Sequence, residues 1–518
     1  MSAWRALCRF VAVHRLGTCL LAALLPLLLR VMLLPYLPIP EPQIHDEFSY
    51  LLGADTFLHG RLANPPHPMW VHFETAHVNQ QPTYVTKYQP GQSLLLAFGQ
   101  KVLGHPWFGV LLSVGVMCGS ICWMLQGWLP PRFAALGSLL AILQFGVTSY
   151  WMNSYWGGAL GGIGGALVLG ALPRLVRRPG PSAAVAGAAG AALLSISRPY
   201  EGLVLVVAAT AALLWWRRKE GRPFNDLLTV RHTAAAAILL CLFCSWMGYY
   251  NYRVTGKPWL FPYVVNNRAY VTSPFFWLAP LGPAPTYRNV VLRKVWAEWD
   301  HGQYLEARAN PIVLVRNLGR MLWSSFPFGY LPLFAFAAIG TRKARIALAI
   351  GGVFVVALLM EKLVLQHYLS PAIALVFLLA MLGWRWLFSQ QRYRPRVGTG
   401  IAIVLYASLA GTVAMEARAV YDLAVSRPGN PYYARTAVVN YLMKTGPRHL
   451  VLVRYSPQHS LHLDWVRNGA DIDGSPIVWA HDLGEAQDRE LISYYQGRKV
   501  WLFEPDSDPV RLAPYRTN

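Results

Sequence analysis

The sequence has few charged residues for its length. Only 14% of its 518 residues are Asp, Glu, Lys or Arg, whereas 55% are hydrophobic. Soluble domains carry about 25% charged residues, so the composition excludes an ordinary soluble protein. Acidic residues are fewer than basic residues, 24 against 46, which gives a net charge of +22. The basic residues collect in short patches between apolar blocks with no nucleic-acid motif beside them, which indicates membrane topology and argues against nucleic acid as a partner.

Cysteine is also scarce, and its placement argues against two kinds of site. All six cysteines lie in or beside apolar segments, and no His or carboxylate flanks the closely spaced pairs Cys118 with Cys122 and Cys241 with Cys244. We therefore interpret these cysteines as small helix-packing residues, with metal or redox sites as the less favoured alternative. The segments predicted below to face outward contain no cysteine, so no disulfide framework is expected. The sequence also shows no internal repeat and no low-complexity tract.

Long apolar blocks are what the sequence has in abundance. They run for about 17 to 25 residues, the length that crosses roughly 30 Å of hydrocarbon, and predict an all-α polytopic membrane domain. Residues 1–37 could be a signal peptide, but the apolar run is long and no small-residue cleavage site follows, so a retained signal anchor is expected. We predict about eleven spans, at 17–37, 107–128, 132–150, 156–173, 182–197, 200–216, 232–250, 317–340, 345–365, 368–388 and 398–416.

The basic patches predict the orientation of these spans. If the N-terminus is cytoplasmic, every patch falls on the cytoplasmic side, as the positive-inside rule requires. The patches are Arg132; Arg174, Arg177 and Arg178; Arg217, Arg218, Lys219, Arg222 and Arg231; Arg342, Lys343 and Arg345; and Arg392, Arg394 and Arg396. We therefore expect a multi-pass protein of a bacterial-type inner membrane, with its C-terminal segment periplasmic or otherwise extracytoplasmic.

Two predicted domains follow from this organisation. Residues 1–417 form the membrane domain, including outer loops at 38–106 and 251–316, and residues 418–518 form a small soluble α/β domain outside the membrane. In the latter, "HLVLVRY", "SPIVWA" and "RKVWLFEP" alternate like buried strands, and Gly484 to Gln496 is typical of a helix. The glycine-rich stretch Gly157 to Gly170 is expected to be a face for close helix packing, with a ligand-binding loop as the alternative.

An acidic pair, Asp46 and Glu47, follows the first span on the outer side. Carboxylates are costly to place at the mouth of a membrane domain, so a chemical role is the first hypothesis. The segment that follows, "FSYLLGADTFLHG", has apolar residues at helical spacing, which places both acids at a helix N-terminus. A helix cap is therefore the alternative role for Asp46.

Several segments together resemble the GT-C superfamily of integral-membrane glycosyltransferases. They are the acidic pair after the first span, the short amphipathic helix, "GRL" with prolines, and "KYQPGQSLLLAFG". The likeness continues through "ISRPYEG", "NYRVTGKPWLFPY" and "QHYLSP". Members include protein O-mannosyltransferases and bacterial transferases that modify lipid A. The resemblance covers roughly residues 15–390 in layout and is specific in the first loop. It implies a sugar donor on a polyprenyl phosphate, an acceptor that is a glycan, lipid or protein, and contact with membrane lipids.

The resemblance also implies roles for individual residues. Asp46 matches the family's catalytic carboxylate and would take a proton from the acceptor hydroxyl, with Glu47 as a second carboxylate or an acceptor for a neighbouring Arg. Lys87 matches a lysine that points at the lipid phosphate, with a snorkelling interfacial lysine as the alternative. Arg198 ends an apolar helix on the outer side, where it would meet a phosphate or carboxylate; an ion pair with Glu201 is the alternative. His367 and Tyr368 stand where relatives carry a basic residue and a tyrosine, which makes them candidate substrate-binding residues, with His367 as a ligand for the phosphate.

The sequence departs from the family pattern at one informative place. Relatives often carry a second acid near the outer start of the fourth span, but "SYWMNSYWGGALGG" has Asn153 and no acid. This leaves open whether Glu74 or no residue takes that role, and it weakens the case for a metal bridged between two loops. A divalent cation remains open as a cofactor. His45, His59, His67, His72 and His77 fit no ligand spacing, so scattered interfacial histidines are the favoured interpretation.

Two other functions compete with a glycosyltransferase. A transporter or flippase for a lipid-linked saccharide also needs many spans, but transporters tend to show inverted repeats and charged or broken helices near the midplane. Here the ionisable residues gather at the outer ends of the spans. A non-catalytic assembly protein would use the polar C-terminal stretch "DWVRNGADIDGSP" for binding.

Overall fold

A computed structural model describes residues 10–227, 229–325, 341–390, 395–425 and 434–515. Its helices are α1 (Arg15–Met32), α2 (His45–Leu58), α3 (Pro90–Leu103), α4 (Trp107–Trp128), α5 (Pro131–Phe145), α6 (Ala159–Arg177), α7 (Pro181–Ser195), α8 (Pro199–Lys219), α9 (Val230–Thr255), α10 (Pro262–Tyr270), α11 (Val290–Arg293), α12 (His301–Ala309), α13 (Ile312–Ser325), α14 (Arg342–Leu358), α15 (Ile373–Gln390), α16 (Pro395–Val425), α17 (Ala434–Thr445) and α18 (Glu485–Tyr494). A π-helical segment, Lys294–Asp300, joins α11 to α12, and 3-10 turns occupy Trp70–Phe73, Asn225–Leu227 and Gln366–Ala372.

Within the described residues, six helical segments are long and apolar enough to cross a membrane. They are Arg15–Met32, Trp107–Trp128, Ala159–Arg177, Pro199–Lys219, Thr233–Thr255 and Gln366–Trp386. Each coincides with a predicted span. The predicted spans at 132–150 and 182–197 are the shorter apolar helices α5 and α7.

The remaining predicted spans are less directly matched. The span predicted at 345–365 is represented by α14, which ends at Leu358, and 398–416 falls within α16. The span at 317–340 lies mostly outside the described residues. The total of eleven spans and their orientation therefore stay predictions.

By packing, the chain divides into two compact units. The membrane unit comprises Met1–Pro40, Phe108–Ser245 and Pro311–Val425, and the outer unit comprises Glu41–Trp107, Trp246–Asn310 and Ser426–Asn518. The outer unit thus gathers into one body the three segments that the sequence predicts to face outward. The domain boundary predicted at residue 418 is a division by chain segment, and whether 418–518 folds alone stays a prediction.

In the membrane unit, the glycine-rich stretch is the buried helix α6. A Cβ at Gly165 would stand 1.7 Å from the carbonyl oxygen of Pro371, and one at Gly164 would stand 2.8 Å from that of Gly190. Only glycine permits such close backbone approach, so the prediction of a helix-packing face is confirmed.

The outer unit is built on a four-stranded sheet in the order β4-β3-β5-β6, where β3 is His449–Val453, β4 is Ile477–His481, β5 is Lys499–Glu504 and β6 is Arg511–Pro514. The strands β3, β4 and β5 are parallel, and β6 is antiparallel to β5. The three predicted strands and the predicted helix, here α18, are confirmed, whereas β6 was not predicted.

The side chains of β3 point alternately into two separate hydrophobic cores, one on each face of the sheet. Val451 and Val453 pack under α17 with Leu442. Leu450 and Leu452 face the other way. There they meet α18 and four side chains of the first outer loop, which are Leu52, Phe73, Val78 and Tyr84. The first loop is therefore part of the core of the C-terminal sheet.

A short antiparallel ribbon carries the first loop across this surface. It pairs β1 (Val78–Asn79) with β2 (Val85–Thr86). The second outer loop joins through α10, because the amide of Asn266 donates to the carbonyl of Val78 at 3.3 Å and to the Asn79 side chain at 3.0 Å.

Candidate functional site

The acidic pair begins α2, and the two carboxylates have different surroundings. Glu47 is buried, 3% exposed, and its Oε2 accepts hydrogen bonds from the backbone N–H groups of Gln43 at 2.5 Å and Ile44 at 3.1 Å. The Ile44 N–H, at the N-cap position, is a donor that the helix start leaves without an intrahelical partner. Glu47 therefore supplies the capping interaction considered above for Asp46.

Asp46 instead contacts side chains and remains 23% exposed. The Tyr88 hydroxyl donates a short hydrogen bond to Oδ1, and Nε2 of His77 lies 3.5 Å from Oδ2. Burial alone would raise the pKa of Asp46, but His77, the Tyr88 hydroxyl and the Lys87 ammonium outweigh burial and hold the pKa below its ordinary value. Asp46 is therefore a carboxylate at neutral pH, partly open to solvent.

His77 is held against Asp46 by a constrained backbone. Its φ of 66° is in the left-handed region, which costs a non-glycine residue about 1–3 kcal/mol. Two hydrogen bonds to its carbonyl hold this conformation, one from Ser49 Oγ at 2.6 Å and one from the Lys87 N–H at 3.0 Å. Burial and then Lys87 lower the pKa of His77 well below its ordinary value. The imidazole is thus neutral at pH 7.

Lys87 is enclosed by aromatic rings. It is 3% exposed, and its Nζ lies 4.8 Å from the ring centre of Trp296, 4.9 Å from that of Tyr263 and 5.2 Å from that of Tyr88. Such rings stabilise an ammonium through their negative faces. Lys87 does not snorkel to solvent in this structure, and its charge acts on both Asp46 and His77.

The other predicted site residues belong to the membrane unit. Arg198 precedes α8 and makes an ion pair with Glu201 at 3.3 Å, while its guanidinium lies 4.4 Å from the ring centre of Tyr368. The neighbouring His367 is buried, with its ring 4.5 Å from Trp156. The structure thus brings Arg198, Glu201 and Tyr368 together, and the ion pair weighed as the alternative for Arg198 is present.

Asn153 makes hydrogen bonds through both the oxygen and the nitrogen of its side-chain amide. Its Oδ1 accepts a hydrogen bond from Nε of the buried Arg30 at 3.1 Å, and its Nδ2 donates to the carbonyls of Val147 at 2.6 Å and Ser149 at 3.0 Å. A carboxylate could not make the last two bonds, because it has no N–H to donate. The local fold therefore requires an amide at the place where an acid is typical of the family.

The loop histidines are mostly buried, which corrects the prediction of scattered interfacial residues. His45, His67, His72 and His77 are each at most 13% exposed, and His59 alone of the five is exposed. Nδ1 of His72 bonds the His481 carbonyl at 3.0 Å, and His67 contacts Asp473 at 3.0 Å. His67 and His72 therefore join the first loop to the C-terminal segment, whereas His77 contacts Asp46. Across the described ranges, no three His, Cys, Asp or Glu side chains gather as metal ligands.

Comparisons with known proteins match this chain to solved structures. No family model matches the sequence, and no curated protein matches it. Among solved structures, ArnT from Cupriavidus metallidurans in the apo state has a TM-score of 0.50 at 14% identity, covering 97% of this chain and 93% of that chain. The Archaeoglobus fulgidus oligosaccharyltransferase in the apo form has a TM-score of 0.51 at 12% identity, covering 84% of this chain and 58% of that chain. Both neighbours are GT-C superfamily members. The chain has the GT-C fold.

Within this GT-C fold, sequence reasoning missed three residues beside the predicted sites. His77 and Tyr88 contact Asp46, and their positions in the sequence do not predict these contacts. Glu361 is fully buried near Arg198 and Glu201, and neither of its carboxyl oxygens has a hydrogen-bond partner among the described residues. A signal for Glu361 existed, because an ionisable residue inside a predicted span, 345–365, is a functional hypothesis by default.

Proposed function

We propose that this GT-C chain is a membrane glycosyltransferase that moves a sugar from a polyprenyl-phosphate donor to an acceptor hydroxyl at the outer face of the membrane. The observation that carries the proposal is the Asp46 carboxylate, ionised at neutral pH, partly exposed and fixed by Tyr88 and His77 in the outer unit. A carboxylate so placed can accept a proton without moving.

The proposed reaction is a single displacement. The acceptor oxygen attacks the anomeric carbon, its proton passes to Asp46, and the bond from that carbon to the phosphate oxygen breaks, so the lipid phosphate leaves with the electron pair. One displacement inverts the anomeric centre and needs one base. A phosphate leaving group needs cationic stabilisation more than a strong acid. Lys87 is the proposed source of this stabilisation beside Asp46, and Arg198, Tyr368 and His367 stay proposed contacts of the donor's phosphate.

Each partner of Asp46 has a proposed part in this step. The Tyr88 hydroxyl donates a hydrogen bond to Oδ1 of Asp46. The other oxygen, Oδ2, lies on the side of His77 and is the one proposed to take the proton. Lys87 keeps the carboxylate ionised by its charge, which the surrounding rings shield from water. The divalent cation left open by the family resemblance has no step in this mechanism.

The test compares Asp46→Asn with a surface control. Membrane vesicles carrying each variant are supplied with radiolabelled polyprenyl-phosphate sugars, and transfer is measured alongside the thermal stability of the purified chain. Asp46→Asn should lose transfer by at least about a hundredfold, the usual contribution of a general base, while its unfolding temperature stays close to wild type. Asp508→Asn, an exposed carboxylate of the same unit, should retain transfer. Full transfer by Asp46→Asn would refute the proposed base.

A further inference from the structure

The outer unit contains a polar cavity that the proposed mechanism does not use. Its volume is about 460 Å³, within the range that binds small molecules. The first and second outer loops both contribute to its wall. Its polar and aromatic lining includes Trp70, Glu74, Gln80, Arg268, Tyr270 and Arg288.

Two buried acceptors in this lining lack donors. Glu74 is 2% exposed, and while Oε1 accepts from Arg288 at 3.1 Å, Oε2 has no hydrogen-bond partner among the described residues. Gln80 is 1% exposed; its Nε2 donates to the Phe73 carbonyl at 2.7 Å, whereas its Oε1 has no partner in the described part of the chain. Buried polar atoms in folded proteins are nearly always paired. The Tyr270 hydroxyl interacts with the Glu74 carboxyl but makes no well-formed hydrogen bond to Oε2, so both oxygens can still accept hydroxyl or amide donors from a molecule in the cavity.

The charged and aromatic side chains of the cavity wall indicate which kind of molecule the cavity can bind. Arg268 and Arg288 give two guanidinium groups against the single carboxyl of Glu74, so the wall favours an anion. The guanidinium of Arg288 lies 5.1 Å from the ring centre of Trp70, which places an aromatic surface beside the charge. Hydroxyl donors, an acidic group and an aromatic platform are together the recognition pattern of an acidic sugar.

The cavity is close along the chain to the proposed base. Glu74 and His77 are three residues apart, and an extended chain of that length spans at most about 11 Å. The same short segment therefore presents Glu74 to the cavity and His77 to Asp46. A molecule held by Glu74 could extend a hydroxyl toward Asp46.

We propose that this cavity binds the acceptor as an acidic saccharide, whose hydroxyls donate to Glu74 and Gln80 and whose acidic group faces Arg268 and Arg288. The proposal rests on the proposed glycosyltransferase function and names the class of its acceptor. The donor's lipid phosphate is a second source of the same anionic chemistry, and the test separates the two.

The test measures binding to the full-length detergent-solubilised chain. Saturation-transfer NMR and calorimetry use D-glucuronic acid as the acidic probe, D-glucose as the neutral probe and undecaprenyl phosphate as the lipid probe. Glucuronic acid should bind and glucose should bind more weakly. Arg268→Gln should weaken glucuronic acid binding roughly tenfold, the loss of one charge-assisted hydrogen bond. Arg293→Gln, an exposed arginine outside the cavity, is the matched control and should bind as wild type. Glu74→Gln is a second variant that tests the hydroxyl contacts.

The outcomes separate this proposal from the proposed function. If glucuronic acid fails to bind, binds no better than glucose, or is unaffected by Arg268→Gln and Glu74→Gln, the acidic-saccharide site is refuted, even where transfer still depends on Asp46. If Arg268→Gln weakens undecaprenyl phosphate and leaves glucuronic acid unchanged, the cavity holds the donor phosphate and the proposal is likewise refuted. Glucuronic acid binding alongside full transfer by Asp46→Asn would support the cavity and refute the proposed base.

Discussion

The two neighbouring acids of α2 differ because of contacts that are distant in the sequence. Glu47 satisfies backbone N–H groups three and four residues away, whereas Asp46 is fixed by His77 and by Tyr88, which is 42 residues further on. The sequence could predict that both acids begin a helix, since composition and spacing are local. It could not predict Tyr88 and His77 as partners, because their approach depends on how β1 and β2 pair and pack against α2.

The first prediction concerns Glu47→Gln. The amide keeps an oxygen that can accept from Gln43 and Ile44 but loses the negative charge that favours a helix N-terminus. We expect the free energy of unfolding to fall by about 0.5–2 kcal/mol, the range for a lost cap, with transfer per folded molecule retained. Chemical denaturation and the vesicle assay measure the two effects. Lost transfer at unchanged stability would instead assign Glu47 to the chemistry.

The second prediction concerns the pH dependence that His77 gives to stability. Its native pKa is well below the ordinary value, so on acidification through about pH 6.5 the unfolded chain binds a proton that the native chain does not. This contribution to stability is complete above that pH and is lost as the pH falls toward the native pKa. His77→Asn removes the imidazole and keeps a residue that tolerates positive φ.

Melting curves between pH 7 and pH 5 test this expectation. The stability of His77→Asn should fall less steeply with acidification than that of wild type. His59→Asn, which replaces an exposed histidine of the same loop, should keep the wild-type slope. Equal slopes for wild type and His77→Asn would contradict a buried neutral His77.

At the scale of elements, α6 shows what a local pattern can predict. Glycines at close spacing within an apolar block predict a packing face, and the structure places Gly165 against the backbone at Pro371. The strands β3, β4 and β5 were also predictable from a local pattern, because their residues alternate as in buried strands. Strand β6, "RLAP", lacks both a long apolar run and regular alternation, so its pairing with β5 is evident only from the fold.

The third prediction contrasts two glycines of neighbouring helices. A methyl group at Gly165 would meet the Pro371 carbonyl at 1.7 Å, whereas one at Gly187 in α7 would meet the Ala171 methyl at 3.4 Å, an ordinary contact. Gly165→Ala should destabilise the detergent-solubilised chain by about 1–3 kcal/mol or more through overpacking against backbone. Gly187→Ala should be neutral or slightly stabilising. Thermal unfolding followed by aggregation measures both, and equal melting temperatures for the two variants would contradict this packing.

At the scale of the whole molecule, the sequence predicts which segments face outward but not that they share one core. Hydropathy and charge identify spans and loops because the membrane acts on each segment locally. The contact of Leu52, Phe73, Val78 and Tyr84 with the C-terminal sheet joins residues several hundred positions apart, and no periodicity encodes that pairing. For the same reason, a boundary drawn at a change of composition does not establish an independently folding domain.

The last prediction follows from this shared core. Residues 434–515 expressed alone should fail to fold cooperatively, because one face of the sheet loses the four side chains from the first loop. Burying each such side chain contributes about 1.5–3 kcal/mol, and their sum rivals the net stability of about 5–15 kcal/mol of a whole domain. Hydrogen exchange should find the β3 amides protected in the full chain and exchanging freely in the fragment, which should also lack a cooperative melting transition. A fragment that melts cooperatively would establish the C-terminal segment as a domain that folds by itself, with the first loop docked on a surface that does not need it.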